Sequence, residues 1–394
     1  MTVDETTWRF IDEHQDDDVR QLALAKNKFS NIDIEFALRQ IQGRQKAKHK
    51  LPSFFALKRF VFPHSVSMEQ CSSEATARYK ASLVSGNAMS DLSGGMGVDT
   101  WAFSTSFNRV DYVEPQSALC EALAHNRSVL SMENVQIHQM SMTDFLATSP
   151  HQDFVYVDPS RRDGNGNRVV TLEQCEPNVV QCRHLLLSKA DDVMIKMSPM
   201  LDIKRALAQL PETYSVYVVA VNGECKELLF RMKNEKVSSL AYHAVNIRNE
   251  KFECFDFDAQ EENDATPEFI DDTLDQYLYE PNAAILKAGA FKLVSERFEL
   301  KKLHPHSHLY TSNVLLPEFP GRVLEIQDVF PFNRKVLSER LKNLRQANVV
   351  VRNFPLSAEE LKKNLKLADG GDVYIYGTTL CGDRKAVIQC RRER

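Results

Sequence analysis

Residues Asp91 to Thr100 read DLSGGMGVDT, and the interpretation of the whole chain starts there. Three glycines fall within four residues of a protein that contains only 14 in 394. The residues leading into them, Ala88–Leu92, have the character of a short strand. Glycine lacks a Cβ, so a strand that ends in clustered glycines can turn sharply and let its backbone approach a ligand closely. In doubly wound α/β sheets, ligands bind beyond the carboxyl ends of the strands, where the strand order reverses. The stretch therefore predicts a ligand site at the end of the first strand of an α/β domain.

Working outward, strands are predicted at Arg109–Glu114, Asn134–His138, Asp153–Asp158, Asp192–Lys196, Ser215–Val221 and Glu227–Met232. Helical stretches separate the earlier ones, which implies a mainly parallel sheet covered on both faces. The last two are too close in sequence for a crossover helix and predict an antiparallel hairpin at one edge. Before the sheet, Val19, Leu22, Ala25 and Phe29, then Ile34, Ala37, Leu38 and Ile41, recur at helical spacing. The segment from Ser67 to Ser82 predicts a further helix. Beyond the sheet, the chain predicts a strand over Lys236–Arg248, a helix over Pro281–Phe298 and short strands in 299–316. A compact C-terminal part follows: strand Arg322–Asp328, helix Asn333–Gln346 and strand Asn348–Arg352. Then come a helix opened by Ser357 with Glu360 as a capping box, and a closing hairpin of Asp372–Gly377 with Arg384–Cys390.

Three acids follow the strands that surround the glycines. Asp91 ends the first strand, where a carboxylate repels a pyrophosphate but suits a cationic amino-acid head. Glu114 ends the second strand, placed to accept hydrogen bonds from ribose hydroxyls. Asp144, after the third, can meet an adenine amine. The spacing also differs from the GxGxxG of dinucleotide sites. A nucleoside without phosphates that carries a positive charge fits best, and S-adenosyl-L-methionine is such a molecule.

Together DLSGGMGVD, Glu114, Asp144 and Asp158-Pro159 resemble the class I S-adenosylmethionine-dependent methyltransferases. Ser93 stands where many members have the first glycine. EQCSSEATARYK, DPSRRDGNGNR, IKMSPMLD, NGECKELLF, EPNAAILKAGAF and GGDVYIYGTTL extend the resemblance over nearly the whole chain. They look like the bacterial members with a ferredoxin-like insert and a C-terminal THUMP-like domain. The resemblance implies a Rossmann-like, seven-stranded sheet with one antiparallel strand, and a cofactor site at Asp91, Ser93, Gly94, Gly95, Gly97, Glu114, Asp144 and Asp158. The expected parts are an N-terminal helical segment (1–66), the methyltransferase domain (67–235), a ferredoxin-like α+β domain (236–320) and the THUMP-like domain (321–394).

Asp158-Pro159-Ser160-Arg161-Arg162 follows the fourth strand, where this fold does its chemistry. Nucleic-acid amine methyltransferases carry Asp/Asn-Pro-Pro-aromatic here; the polar groups orient an exocyclic nitrogen and the ring stacks on a flipped base. This chain keeps Asp158 and Pro159, followed by Ser160, but lacks the aromatic, which Arg161 and Arg162 replace. Arginine can stack on a base, pair with a phosphate or grip a guanine edge; the other reading is a salt bridge to Asp163 or Glu173. A rival mechanism uses Cys225, with Lys226 lowering its pKa for attack on a pyrimidine, against a buried inert thiol. His304, His306 and His308 alternate as a metal site would, or as surface and hydrogen-bonded histidines.

Composition narrows the class. Hydrophobic residues at 43% and charged residues at 26% are ordinary for a soluble globular protein, and the length suits two or three domains. No apolar run reaches membrane-spanning length, and the acidic start MTVDETTWRFIDEHQDDD is unlike a signal peptide. A cytoplasmic location is expected, and the eight cysteines, without a CxxC pair, read as reduced thiols. The net charge of −5 is uneven: Glu253–Glu280 holds eleven acids and no Lys or Arg, whereas from Pro331 onward fourteen Lys and Arg face seven acids. The basic C-terminal part and the segment Arg44–Arg59, which carries Phe54 and Phe55, are candidates for RNA contact. A solvated surface for the first, and a helix end with core phenylalanines for the second, are the alternatives. The expectation is an RNA methyltransferase acting on a base nitrogen in tRNA or rRNA. The alternatives are a protein or small-molecule methyltransferase, or a non-catalytic RNA-binding protein on the same fold.

Overall fold

The structure, a computed structural model, describes residues 3–63, 65–160, 172–235 and 238–392. The chain divides into two units, one comprising 1–216 and 227–238, the other 217–226 and 239–394.

In the first unit, helices Glu5–Glu13, Val19–Leu24 and Ile34–Lys50 precede the sheet. Each is entered through an aspartate, Asp4, Asp18 or Asp33, whose carboxylate accepts from a backbone N–H of the first turn. Trp8, Phe10, Ile11, Phe36 and Ile41 are buried together with Val61. A fully buried side chain of this kind contributes about 1.5–3 kcal/mol. The helix expected over Ser67–Ser82 is two, Ser65–Gln70 and Glu74–Ser82. Ser73 breaks it by capping the second, accepting from the Thr76 amide at 3.2 Å.

The strands are β1 (Gly86–Asp91), β2 (Phe107–Val113), β3 (Val135–His138), β4 (Gln152–Val157), β5 (Ala190–Met197), β6 (Thr213–Val221) and β7 (Glu224–Met232). All seven lie within three residues of the expected bounds. β1 runs parallel to β2 and β4, β2 to β3, and β4 to β5, while β7 is antiparallel to β5. The order β3-β2-β1-β4-β5-β7-β6 reverses direction between β1 and β4, the switch point at which such sheets bind ligands. In the second unit, β8 (Ala241–Arg248) and β9 (Lys251–Asp258) pair as an antiparallel hairpin.

The second unit carries a seven-stranded sheet of order β11-β12-β10-β13-β16-β15-β14. Its strands are β10 (Tyr277–Pro281), β11 (Lys301–Lys302), β12 (Tyr310–Ser312), β13 (Gly321–Pro331), β14 (Asn348–Arg352), β15 (Val373–Leu380) and β16 (Arg384–Arg392). The helix expected over Pro281–Phe298 is two, Ala283–Ala288 and Phe291–Arg297, because Gly289 turns left-handed at φ 87° and ends the first. The helix expected over Asn333–Gln346 spans only Arg334–Arg340. The Ser357–Glu360 capping box is present. No described helix is long and apolar enough to cross a membrane.

Candidate functional site

The glycine turn has a steric origin. A Cβ on Gly94 would lie 2.2 Å from Cε2 of Tyr112, so the loop runs directly over that ring. The Tyr112 hydroxyl donates to the Gly95 carbonyl at 2.7 Å. Gly97 turns at φ 81° and opens the helix Val98–Phe103, and a Cβ there would meet Leu123 at 2.5 Å. β1 thus passes into a tight turn braced by β2.

Asp91, at the end of β1, is 1% exposed. Its Oδ1 accepts from the Ser93 amide at 3.1 Å and the Ser93 hydroxyl at 3.3 Å; its Oδ2 accepts from the Thr100 hydroxyl at 2.6 Å. Burial raises its pKa, the Thr100 bond opposes this, and Asp99 and Asp158 add to it, for a value of about 7. No Lys, Arg or His among the described residues forms an ion pair with it. Glu114, also buried, takes the Gly95 amide on Oε2 and the Gln116 amide on Oε1, both at 3.0 Å. Each oxygen keeps a further lone pair for a ligand hydroxyl. Asp144 is exposed in the first turn of the helix Met142–Thr148, and its Oδ2 accepts from Ser141 at 2.6 Å.

Ser93, the departure from the usual glycine, has a bond of its own. Its Oγ accepts from the Asp158 amide at 2.6 Å, tying the glycine turn to the end of β4. The structure therefore brings together Asp91, Ser93, Gly94, Gly95, Glu114 and Asp158. Pro159 is buried and Ser160 exposed, and the Ser160 backbone exchanges hydrogen bonds with Glu176 at 2.7 and 3.0 Å. Arg161, Arg162 and Asp163 lie outside the described residues.

The sequence reading missed a buried ionic cluster beside Asp158. The Asp158 carboxylate pairs with Lys196 of β5, whose ammonium also donates to the Ser72 hydroxyl at 3.2 Å. That hydroxyl accepts from Lys80 at 3.0 Å and donates to Asp99 at 2.8 Å. Lys80, fully buried, holds both oxygens of Glu227 at 2.9 and 3.0 Å and lies 3.1 Å from Asp99. The Tyr156 hydroxyl completes the group by donating to Asp99 at 3.1 Å. For Lys196, burial lowers the pKa, but Asp158, Asp99 and Glu227 outweigh it and the ammonium is held more firmly than usual. For Asp99, burial raises the pKa, but Lys80 and Lys196 outweigh that and keep the carboxylate ionised. Ser72, Lys80, Lys196 and Glu227 come from EQCSSEATARYK, IKMSPMLD and NGECKELLF, segments whose motif character was the available signal.

Other candidates fare differently. Burial pushes the Cys225 thiol up to about 11, only partly opposed by Lys287, and Lys226 pairs with Glu224 instead, which favours the buried thiol over the rival cysteine mechanism. His308 stacks on Phe291 with centroids 3.5 Å apart, while His304 bonds Asn353 and lies 3.3 Å from Asp383. Burial, Lys302, His306 and Arg352 lower the His308 pKa to about 4. In the segment Arg44–Arg59, Arg44 pairs with Asp12, Lys46 with Glu69 and Arg59 with Glu5, and Phe54 is fully buried. These pairs and the buried ring match the helix end with core phenylalanines that the sequence offered as the alternative for this segment. By contrast Arg334, Lys335, Lys342, Arg345, Lys363 and Lys366 are exposed and form no ion pair with a described residue.

Known proteins add the following. Residues 277–320 match the profile of a ferredoxin-like domain and residues 321–392 that of a THUMP domain-like family. The crystal structure of a "putative methyltransferase from Porphyromonas gingivalis W83" is 32% identical, covers 100% of both chains and superposes with a TM-score of 0.88. Partial matches include methyltransferase yhhF from Escherichia coli, described as putative, at 18% identity over 41% of this chain and 85% of that one, TM-score 0.31. Another is the SAM-dependent methyltransferase from Agrobacterium tumefaciens, at 14% identity over 41% and 61%, TM-score 0.32. No curated protein matches the chain.

Proposed function

Because the chain belongs to the family of bacterial class I S-adenosylmethionine-dependent methyltransferases with ferredoxin-like and THUMP-like domains, we propose that it binds S-adenosyl-L-methionine beyond β1, β2 and β4 and methylates a base nitrogen in RNA. The observation that carries the cofactor reading is Asp91, a buried carboxylate with no cationic partner among the described residues. The carboxylates of Asp91, Asp99, Asp158 and Glu227 outnumber the ammonium groups of Lys80 and Lys196 in this region. A cationic sulfonium and amino group suit that surplus, and a pyrophosphate does not.

In this reading Glu114 receives the ribose hydroxyls, Asp144 the adenine amine, and the Ser93–Gly97 turn lies under the nucleoside. The cofactor supplies an activated methyl group. Asp158 accepts a hydrogen bond from the acceptor N–H and aims the nitrogen lone pair at the methyl carbon. Pro159, Ser160 and Arg161 shape the acceptor side. Methylation of that nitrogen would leave it with a surplus N–H proton, which would pass to water. Positioning supplies most of the rate in such a displacement. The RNA reading is supported by the THUMP domain-like match and by the exposed cations of the same segment, from Arg334 to Lys366.

The test incubates the pure protein with methyl-labelled S-adenosylmethionine and a lysate of cells lacking its gene, then separates RNA, protein and small molecules. Label in RNA that is absent with Asp158→Ala, while cofactor binding persists, is the expected result. Label in protein or small molecules would replace the RNA reading, and equal loss of binding and transfer would make Asp158 a cofactor residue.

A further inference from the structure

Five charged side chains from five separate segments converge next to Asp91 with little solvent access. They are Lys80 on the helix Glu74–Ser82, Asp99 after the glycine turn, Asp158 after β4, Lys196 on β5 and Glu227 on β7. Side-chain exposure is 0% for Lys80, 3% for Glu227 and 11% for both Asp99 and Lys196, but 31% for Asp158. The cluster is thus closed at one end and open at the other, and the open end is the carboxylate assigned above to the acceptor. Removing charges from water costs several kcal/mol each, so a cluster like this is a poor way to stabilise a fold. Its form suits the orientation of one exposed group.

We infer that Lys196 is a positioning residue for methyl transfer: its ammonium, braced through Ser72 by Lys80, pins one oxygen of Asp158 and leaves the other to receive the acceptor N–H. The inference rests on the reading of Asp158 given above. The hydrogen bonds support each link. Lys196 binds Oδ2 of Asp158, and Oδ1 makes no hydrogen bond with a described residue. The Asp158 backbone is fixed independently by its amide bond to Ser93 at 2.6 Å. Backbone and one carboxylate oxygen together determine where the second oxygen points. Ser72 is the hinge of the brace, touching both ammoniums and Asp99. Lys80 in turn is anchored by both oxygens of Glu227. Lys196 forms and breaks no covalent bond in the reaction. A shift of about 1 Å in a positioning group can cost on the order of 100-fold in rate.

The experiment uses the full-length protein, labelled S-adenosylmethionine and total RNA from cells lacking the gene. Cofactor affinity is measured separately by calorimetry with S-adenosylmethionine alone. Lys196→Met is expected to lower kcat by about 100-fold while the cofactor Kd moves by less than about threefold. Lys196→Arg should restore most of the rate, since it can still reach Oδ2. Added to Asp158→Asn, Lys196→Met should cost nothing more, because it acts through that carboxylate. Full additivity of the two substitutions, or a Lys196→Met enzyme with unchanged kcat, would overturn the inference. Should Lys196→Met fail to bind cofactor at all, Ser72→Ala carries the test: a roughly three- to tenfold fall in kcat at constant Kd is expected, and an unchanged kcat refutes. If wild type labels protein or small molecules and not RNA, the RNA reading fails and the same cycle is run on that acceptor. No label in any fraction overturns both.

Discussion

Asp91→Asn separates the carboxylate's cost to the fold from its use to a ligand. Folding raises the Asp91 pKa from 3.8 to about 7. Between those values the folded protein holds a proton that the unfolded chain has released, so stability falls as pH rises through this window and stays low above it. About three pKa units at roughly 1.4 kcal/mol each put the ceiling at about 4 kcal/mol. Asparagine does not ionise; its Oδ1 can keep the Ser93 amide and its Nδ2 can donate to Thr100. Weaker neutral hydrogen bonds return about 1 kcal/mol of that gain. The variant should therefore match wild type near pH 4 and exceed it by roughly 2–3 kcal/mol at pH 8, about 5–10 °C in Tm. Urea unfolding followed by tryptophan fluorescence measures it, since both tryptophans, Trp8 and Trp101, belong to the first unit. The same variant should bind S-adenosylmethionine about tenfold more weakly or worse, having lost the charge that faces a cation. A variant less stable than wild type at pH 8, or one that binds cofactor unchanged, would refute the reasoning.

Gly94→Ala puts a methyl group within 2.2 Å of the Tyr112 ring, and should destabilise the first unit by about 1–3 kcal/mol in urea titrations. Glu280 in the second unit is buried under Arg322, Arg352 and the Tyr376 hydroxyl, at 2.7–3.1 Å. Glu280→Leu leaves the Tyr376 hydroxyl and two half-exposed guanidinium groups without their shared acceptor and should cost about 1–3 kcal/mol, seen as earlier proteolysis of that unit. Replacing Arg334, Lys335, Lys342 and Arg345 together by glutamine should weaken RNA binding and flatten its salt dependence, leaving S-adenosylmethionine binding intact. An unchanged salt slope in anisotropy titrations would place the RNA elsewhere.

The first strands of the methyltransferase sheet were legible because marked residues such as Asp91, Glu114 and Asp158 lie at or just beyond their ends and helical sequence separates them. β9 was not, since acids interrupt it; only Phe255 and Phe257 are buried on alternate positions within KFECFDFD. The continuous helix expected over Pro281–Phe298 ignored a Gly289 whose left-handed turn only the structure displays. Lys80 and Lys196 escaped notice because lysine is rarely buried, and nothing local announces a partner 147 residues away. Composition likewise could not reveal that Arg44, Lys46 and Arg59 pair with Asp12, Glu69 and Glu5 from other segments. For Ser93, the alignment of motifs showed only a missing glycine, whereas the fold uses its hydroxyl as a clasp between β1 and β4.

The Lys80–Glu227 pair also has a bearing on synthesis. A ribosome that has made the helix Glu74–Ser82 must add the rest of the parallel sheet before β7 emerges with the carboxylate that grips Lys80 at both oxygens. Until then the ammonium has Asp99, Ser72 and the face of the Tyr156 ring. β7 thus acts as a late latch, and a nascent chain halted before Glu227 has its glycine turn but not the full set of partners for Lys80. Fragments cut ahead of β7 should accordingly gain activity only when the missing strand is supplied in trans.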